Sequence, residues 1–389
     1  MNGVEFRHLD GGLQRRRNDS DHISLLIVHE LNVDLTKLQK VEDLQDLGVT
    51  HVTNPILHYH VSEFFRSAPG ATLYVCSRLA EPVVAELAQL ALATDGQIRQ
   101  VGYVLPSKAL DVTFISELNE VLLGLYGRNV PVMAVVGFHT PAGSSLTLPN
   151  LHVLDSHRVS VCISQDKTGR GGLVQTALGV SKTLTGIGTF MGVEAFSPVN
   201  QTIFWVNERN LVPRLPYRGV VVNSTVVGLE FDKFLVAGEA YDGFTDTQLD
   251  SLNDKGYIFL RKHVAKAGTY FNDSFTCTTL ESDYCYREAN RVSDKADRVI
   301  YSTLINDIGR NIGTDPSTGT ILEDSAAAIE AFCVQRLEEA MGGEVSGISV
   351  FIDRDQRPIV DSKLVVKRKI VANAVLRKII VESSLNVSV

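Results

Sequence analysis

Between Thr72 and Ser164 the chain alternates short apolar runs with amphipathic stretches, and this alternation restricts the fold more than any other feature. Strands are expected at Thr72 to Ser77, Ile98 to Leu105 and Val130 to Phe138, with shorter ones at Leu151 to Leu154 and Arg158 to Ser164. Helices are expected at Glu81 to Ala93 and Phe114 to Tyr126. Strands that are apolar throughout, instead of at every second residue, must be covered on both faces, and the intervening helices do the covering. The implied class is α/β with a buried, mostly parallel sheet. A chain of 389 residues with 44% hydrophobic side chains has apolar surface for about two or three cores. Such a class leaves the chemistry open.

Beyond Gly171 and Gly172, the residues Leu173, Ala177, Val180, Leu184, Ile187 and Met191 recur at spacings of four and three, which predicts one helix buried along one side. Gly179, Gly186, Gly188 and Gly192 weaken that helix but allow close backbone approach. Strand-like runs follow at Thr202 to Val206, Gly219 to Val227 and Phe234 to Ala237, and a helix is expected to start near Thr245. A long helix from about Tyr286 to Asp307 would turn Ala289, Val292, Ala296, Val299, Ile300 and Leu304 inward, with Asp294 and Arg298 outside. A second, Asp324 to Met341, has Glu323 and Asp324 at its amino end and stops at Gly342 and Gly343. Val345 to Asp353, Ile359 to Val371 and Val375 to Val387 read as closing strands. The first 30 residues do not read as a folded unit: Val4 to Leu9 is a short strand pattern, a turn follows at Asp10 to Gly12, and Arg15 to Asp21 is wholly polar.

Lysine and arginine number 37 against 45 acids, a net charge of -8, so no global field favours nucleic acid or an anionic membrane. The charge is uneven. From Lys363 onward Lys363, Lys367, Arg368, Lys369, Arg377 and Lys378 face a single acid, Glu382, so this tail carries about +5 and the remainder about -13. Two readings stay open: an edge strand whose cations discourage aggregation, or a tail that complements an acidic body. Five cysteines (Cys76, Cys162, Cys277, Cys285 and Cys333) without a CxxC pair suit buried thiols in a reducing compartment. The start, MNGVEFRHLDGG, has charges where a secretory leader has an apolar run, and the stretch Leu173 to Val193 contains Lys182 and falls short of a spanning helix. A soluble, cytosolic product is expected.

No constellation for catalysis emerges. GRGGLVQT, Gly169 to Thr176, follows a strand and opens a helix as a phosphate loop does, but it lacks the Lys-Ser/Thr pair, and Gly186, Gly188 and Gly192 are spaced wrongly for a dinucleotide fingerprint. Such glycines otherwise serve backbone geometry. His51, His58 and His60 suggest a metal site only weakly; in HYH two histidines would share a strand face, with no acid or cysteine at ligand spacing. GxSxG and HExxH are missing, and Cys277 and Cys285 are too far apart for a local metal knuckle. The sequons at Asn200, Asn223, Asn272 and Asn386 have no meaning without secretion. No catalytic residue, cofactor site or metal site is expected.

The N-terminal GVEFRHLDGGLQRRRNDSDHISLLIV, the segment LVQTALGVSKTL, the stretch LDSLNDKGYIFLRKHVAKAGTYFNDSFT, the helix REANRVSDKADRVIYSTLINDIG and the end beginning VSGISVFIDRDQRP together resemble the sheath proteins of contractile phage tails and related injection machines. The likeness covers both ends and roughly Thr245 to Val389. It implies an N-terminal arm over 1–30, a more variable outer α/β domain over 31–225, a sheath core domain over 226–360 with mixed sheet and two long helices, and a C-terminal arm over 361–389. The arms would pair as strands with neighbouring subunits through Val4, Phe6 and Leu9 at the start and Val375, Leu376, Ile379, Ile380 and Val381 at the end. A helix of the C-terminal domain would face an inner tube. Its candidate is Asp324 to Met341, with Ile329, Phe332, Leu337 and Met341 packed inward and Glu330, Gln335, Arg336, Glu338 and Glu339 on other faces, although a merely solvated face remains the alternative. The implied role is a structural, non-enzymatic subunit that polymerises helically around that tube and contracts. Its partners would be its own copies, the tube, the baseplate and a cap, with no nucleic acid and no membrane insertion; assembly in the bacterial cytoplasm, as part of a phage tail or an injection particle, follows from the same likeness. An α/β enzyme with an unrecognised site, or a small-ligand or peptide-binding module, are the competing classes.

Overall fold

The computed structural model describes residues 20–145, 147–212, 221–222, 225–226 and 231–383. The chain divides into two compact units, Met1–Tyr301 and Ser302–Val389.

The first unit is α/β. Its strands are β1 (Ser24–His29), β2 (Val33–Leu38), β3 (Leu73–Arg78), β4 (Gln100–Ala109), β5 (Met133–His139) and β6 (Val159–Val161), joined by α1 (Pro55–Ser67), α2 (Glu86–Ala93) and α3 (Val112–Tyr126). They form one six-stranded sheet in the order β2-β3-β1-β4-β5-β6, parallel except for β2. Leu25, Leu26, Ile27 and Val28 are buried on both sides, so β1 is an interior strand, although it lies within the 30 residues expected to stay outside any folded unit. An unbroken apolar run of this length has nowhere to go but a doubly covered sheet.

Covering of both faces is visible residue by residue. Tyr103 of β4 and Phe138 of β5 stack edge-on against Phe114 of α3. Their neighbours Gly102 and Gly137 point to the opposite face and admit a helix very closely: an added Cβ at Gly102 would lie 2.2 Å from Met191 Sδ, and at Gly137 2.8 Å from Ile187. That helix is α5 (Ile187–Phe196), preceded by β7 (Ser164–Asp166) and α4 (Gly169–Leu178). The single helix expected from Leu173 to Met191 is thus two, because Gly179 takes a positive φ of 71° and ends α4. Leu173 and Val180 face solvent as a result.

Several smaller expectations change as well. Helix α2 starts at Glu86 and not at Glu81, since Pro82 and the turn that precedes Glu86 occupy those residues. Leu151–Val153 is a 3-10 turn held by Asn150, whose side chain accepts the His152 N–H, in place of a strand. Thr202 to Val206 is turn, and HYH lies on α1 and not on a strand.

Short pairs complete the unit: β8 (Val221–Val222) with β9 (Thr225–Val226), β10 (Phe234–Val236) with β11 (Glu239–Ala240) and β7, and, after α6 (Asp246–Asp254), β12 (Leu260–His263) with β13 (Lys266–Phe271). Thr245 starts α6 through a capping box with Gln248. Helix α7 (Arg287–Leu304) follows, buried at Val292 and Ala296 but also at Arg287, Glu288, Asn290 and Asp294. Asp294, expected outside, is therefore inside.

In the second unit α8 (Glu323–Met341) lays Ala326, Ile329, Cys333, Leu337 and Met341 as a buried stripe along the antiparallel pair β14 (Val345–Ile352) and β15 (Val366–Ala372). Phe332, expected inside, is 40% exposed under the Arg336 guanidinium. The first part of the strand expected from Ile359 is the one-turn α9 (Pro358–Asp361), and residues 373–383 carry no strand. The Gln356 side chain closes the β14–β15 connection by accepting the Val365 N–H at 2.7 Å and donating to its carbonyl at 2.9 Å.

Candidate functional site

The α/β unit offers the usual place for a ligand, the carboxyl ends of parallel strands where β1 and β4 lead to opposite sides. Here that place is occupied by the chain itself. Glu30, directly after β1, accepts the N–H groups of Ile56 and Leu57 at the amino end of α1 at 3.0 and 2.8 Å. Those donors would otherwise receive an anion. Burial raises the Glu30 carboxyl above its ordinary value, against the lowering effect of the two amides. The glycine loop is equally full: an added Cβ would meet Asp166 Oδ2 at 2.3 Å from Gly171 and the Lys167 carbonyl at 2.3 Å from Gly172, so these glycines serve packing.

The histidines do not converge. His60 is buried and accepts the Gly188 N–H at Nδ1 (3.1 Å), and burial lowers it to about 3. His58 sits 2.7 Å from Arg170, and burial with that cation lowers it to about 4. His51 only edges the His58 ring. Among the described residues no group of three or more His, Cys, Asp or Glu is placed to hold a metal ion, and no helix is long and apolar enough to cross a membrane. All five cysteines are buried free thiols; burial pushes Cys162 up to about 12.

What the sequence reading missed are the buried ion pairs of α7. Arg287 donates to Glu194 at 2.6 and 2.7 Å and to the Ala134 carbonyl at 2.7 Å, while Arg158 binds Asp294 in bidentate fashion at 3.0 and 3.1 Å. Burial alone would raise the Glu194 carboxyl, yet Arg287 and Arg291 hold it below its ordinary value. Asp21 is clasped by Lys295 at 2.9 Å and by Arg298, and its carboxyl is likewise held down against the effect of burial. These pairs tie sheet, α5 and α7 together.

The C-terminal unit differs. Beyond β15 the apolar side chains of Leu376, Ile379, Ile380 and Val381 are each at least 72% exposed, and residues 373–383 make no strand pairing with the described chain. Val375 is half-buried. The remainder of the expected C-terminal strand, from 384, lies outside the described residues, as do Val4, Phe6 and Leu9. On α8, Gln335, Arg336, Glu338 and Glu339 are exposed; Glu339 accepts from Gln335 at 2.9 Å and from Arg336 at 3.0 Å, which lowers its carboxyl. Glu330 is instead taken up internally: it accepts the Ile352 N–H at 2.6 Å and pairs with Arg354, which also holds Glu323. Hydrogen bonds from Arg354 lower both carboxyls. The unit therefore presents an acidic-edged helix on one side, a short open sheet and an unanswered apolar tail.

The family described as DUF2586, N-terminal domain, matches residues 1–275, and its C-terminal counterpart matches residues 283–388. The chain belongs to the DUF2586 family. No curated protein matches this family member. Among solved structures, the DUF2586 chain is similar to the anti-feeding prophage helical sheath in its contracted state, with a TM-score of 0.62 and 15% identity over 99% of each chain. It is similar to a chain of the anti-feeding prophage baseplate, with a TM-score of 0.61 and 15% identity over 99% of each. A sheath tail protein from Listeria innocua gives a TM-score of 0.53 and 10% identity over 90% of this chain and 94% of that one. This DUF2586 chain has the fold of contractile-tail sheath proteins over nearly its whole length.

Proposed function

We propose that this DUF2586 protein is the structural subunit of a contractile sheath, polymerising helically around an inner tube and shortening to drive it forward, with no catalytic role of its own. The observation that carries the reading is the tail: Leu376, Ile379, Ile380 and Val381 stand exposed beside a two-stranded sheet. Segments of this kind are stable when they add a strand to another molecule's sheet. A head-to-tail contact made this way generates an open helical filament when its rotation does not close into a ring. Each backbone hydrogen bond contributes about 0.5–1.5 kcal/mol net and each buried Leu or Ile about 1.5–3 kcal/mol, so one such junction supplies several kcal/mol at every subunit.

In this reading Val4, Phe6 and Leu9 with the segment from Val375 to Val381 form the inter-subunit arms, and the exposed face of α8 with Gln335, Arg336, Glu338 and Glu339 meets the tube. A polar, mixed-charge face suits a contact that must release when the sheath slides. Baseplate and cap proteins are the terminal partners. The filled crevice at Glu30 weighs against the competing reading of an α/β enzyme.

Deletion of residues 378–389, or of residues 1–10, tests the assignment. Both truncated chains are expected to stay folded with unchanged helix content by circular dichroism while forming no cylinders by negative-stain microscopy. Cylinders from either one, or loss of folding, would count against arm exchange.

A further inference from the structure

The β14–β15 hairpin has a second face that α8 does not cover. The register puts Val350 opposite Arg368 and Ile352 opposite Val366, and the buried Val350 and Ile352 identify that side as the one beneath α8. Phe351 opposite Lys367, Ser349 opposite Lys369 and Gly347 opposite Val371 therefore point away. Phe351 and Val371 are 54% and 59% exposed, and neither Lys367 nor Lys369 has an acidic partner among the described residues. An apolar patch is thus left open, with two lysines beside it and the Arg354 guanidinium 6.0 Å from the Phe351 ring centroid.

The complementary surface is on α6. Asp246, Asp250 and Asp254 recur every four residues, all exposed, and only Leu252 of that helix is buried. Like charges at this spacing repel. Asp254 in addition sits in the last turn, where the helix dipole favours a cation. The adjacent Lys255 does not relieve them, since its Nζ donates to the Leu148 carbonyl at 2.9 Å. No cation among the described residues pairs with these three aspartates. The spacings also agree: about 6 Å separates residues four apart on a helix, and about 6.8 Å separates residues two apart on a strand.

We propose that the outward face of the β14–β15 hairpin docks on helix α6 of a second copy of this chain, Lys367 and Lys369 meeting the Asp246–Asp250–Asp254 row around Phe351. The inference rests on the self-assembly reading and adds a contact separate from the arms. Because the two surfaces differ, the contact is head-to-tail, and in the helical assembly proposed above it repeats from copy to copy.

A charge-exchange experiment tests it. One variant carries Lys367→Glu and Lys369→Glu, the other Asp246→Lys and Asp250→Lys, and polymerisation of each is followed by sedimentation at low salt. Alone, each variant sets like charges against each other and is expected to need at least about tenfold more protein to polymerise than the parent. An equimolar mixture is expected to recover, because the acidic hairpin of one variant meets the basic helix of the other, and the native hairpin of the second meets the native helix of the first. Variants that polymerise at the parent concentration, or a mixture no better than its components, would overturn the contact while leaving the sheath reading intact. A parent that stays monomeric would overturn both. Should a double variant lose its fold by circular dichroism, Lys369→Gln and Asp250→Asn replace it. Salt weakens parent polymerisation by screening, and these substitutions are expected to flatten that dependence; an unchanged salt curve overturns the contact.

Discussion

The Arg287 cluster of the first unit and the Arg354 cluster of the second use charge in opposite ways. In the first, Arg287 and Glu194 are almost fully buried, 1% and 3% exposed at their side chains, and each of the three guanidinium nitrogens donates to an acceptor inside the unit. In the second, Arg354, 30% exposed, pairs with the part-buried Glu330 and with Glu323, 71% of whose side chain is in water. Interior pairs of the first kind have surrendered hydration and depend on each other; surface pairs of the second kind can be exchanged for water at little cost. The interior of the α/β unit is in this sense closed, and the aspartate row of α6 stays unpaired at its surface among the described residues, whereas the C-terminal unit leaves its sheet face and tail for other molecules to answer.

Substitutions separate the two regimes. The largest effect is expected from Arg287→Met, which leaves the buried Glu194 with only the more distant Arg291, 3.9 Å away, to offset its charge; urea unfolding should show a loss of about 3–5 kcal/mol. In the same experiment Arg354→Ala is expected to leave the midpoint unmoved. Comparable losses in both variants would remove the distinction between the units.

Next is Gly188→Ala. The added methyl would lie 2.2 Å from the His60 carbonyl where α1 and α5 cross, and backbone on both sides cannot step aside. A loss of about 1–3 kcal/mol is expected, measured by thermal or urea denaturation, with assembly of the surviving folded protein unchanged. Should the alanine chain prove as stable as the parent, the close crossing of α1 and α5 is not as tight as described.

The smallest effect is graded. His60 stays neutral in the fold down to about 3, while in the unfolded chain it takes up a proton near 6.5. Its folded value is depressed, so the stability it permits is present above 6.5 and is lost as the pH falls toward 3, at up to about 1.4 kcal/mol per pH unit. Urea midpoints between pH 7 and pH 5 measure the slope, and in His60→Gln it should be shallower. An identical slope in both chains would assign the acid sensitivity elsewhere.

Much of this architecture was legible in the amino-acid sequence. The alternation of β3, α2, β4, α3 and β5 followed from runs that are apolar throughout, because only a doubly covered strand tolerates them. Helix α8 showed both of its ends, and the basic tail stood out by count. These are local signals, each set by residues within one or two turns of one another. The tertiary structure decided the rest. Asp294 reads as a surface residue because a lone carboxylate is costly to bury, and the Arg158 that offsets that cost is 136 residues away. The stripe from Leu173 to Met191 reads as one helix because periodicity does not register the positive φ at Gly179. The tail from Val375 reads as a strand because its pattern is that of a strand, but a strand exists only where a neighbouring edge accepts its hydrogen bonds, and within the described chain residues 373–383 have none.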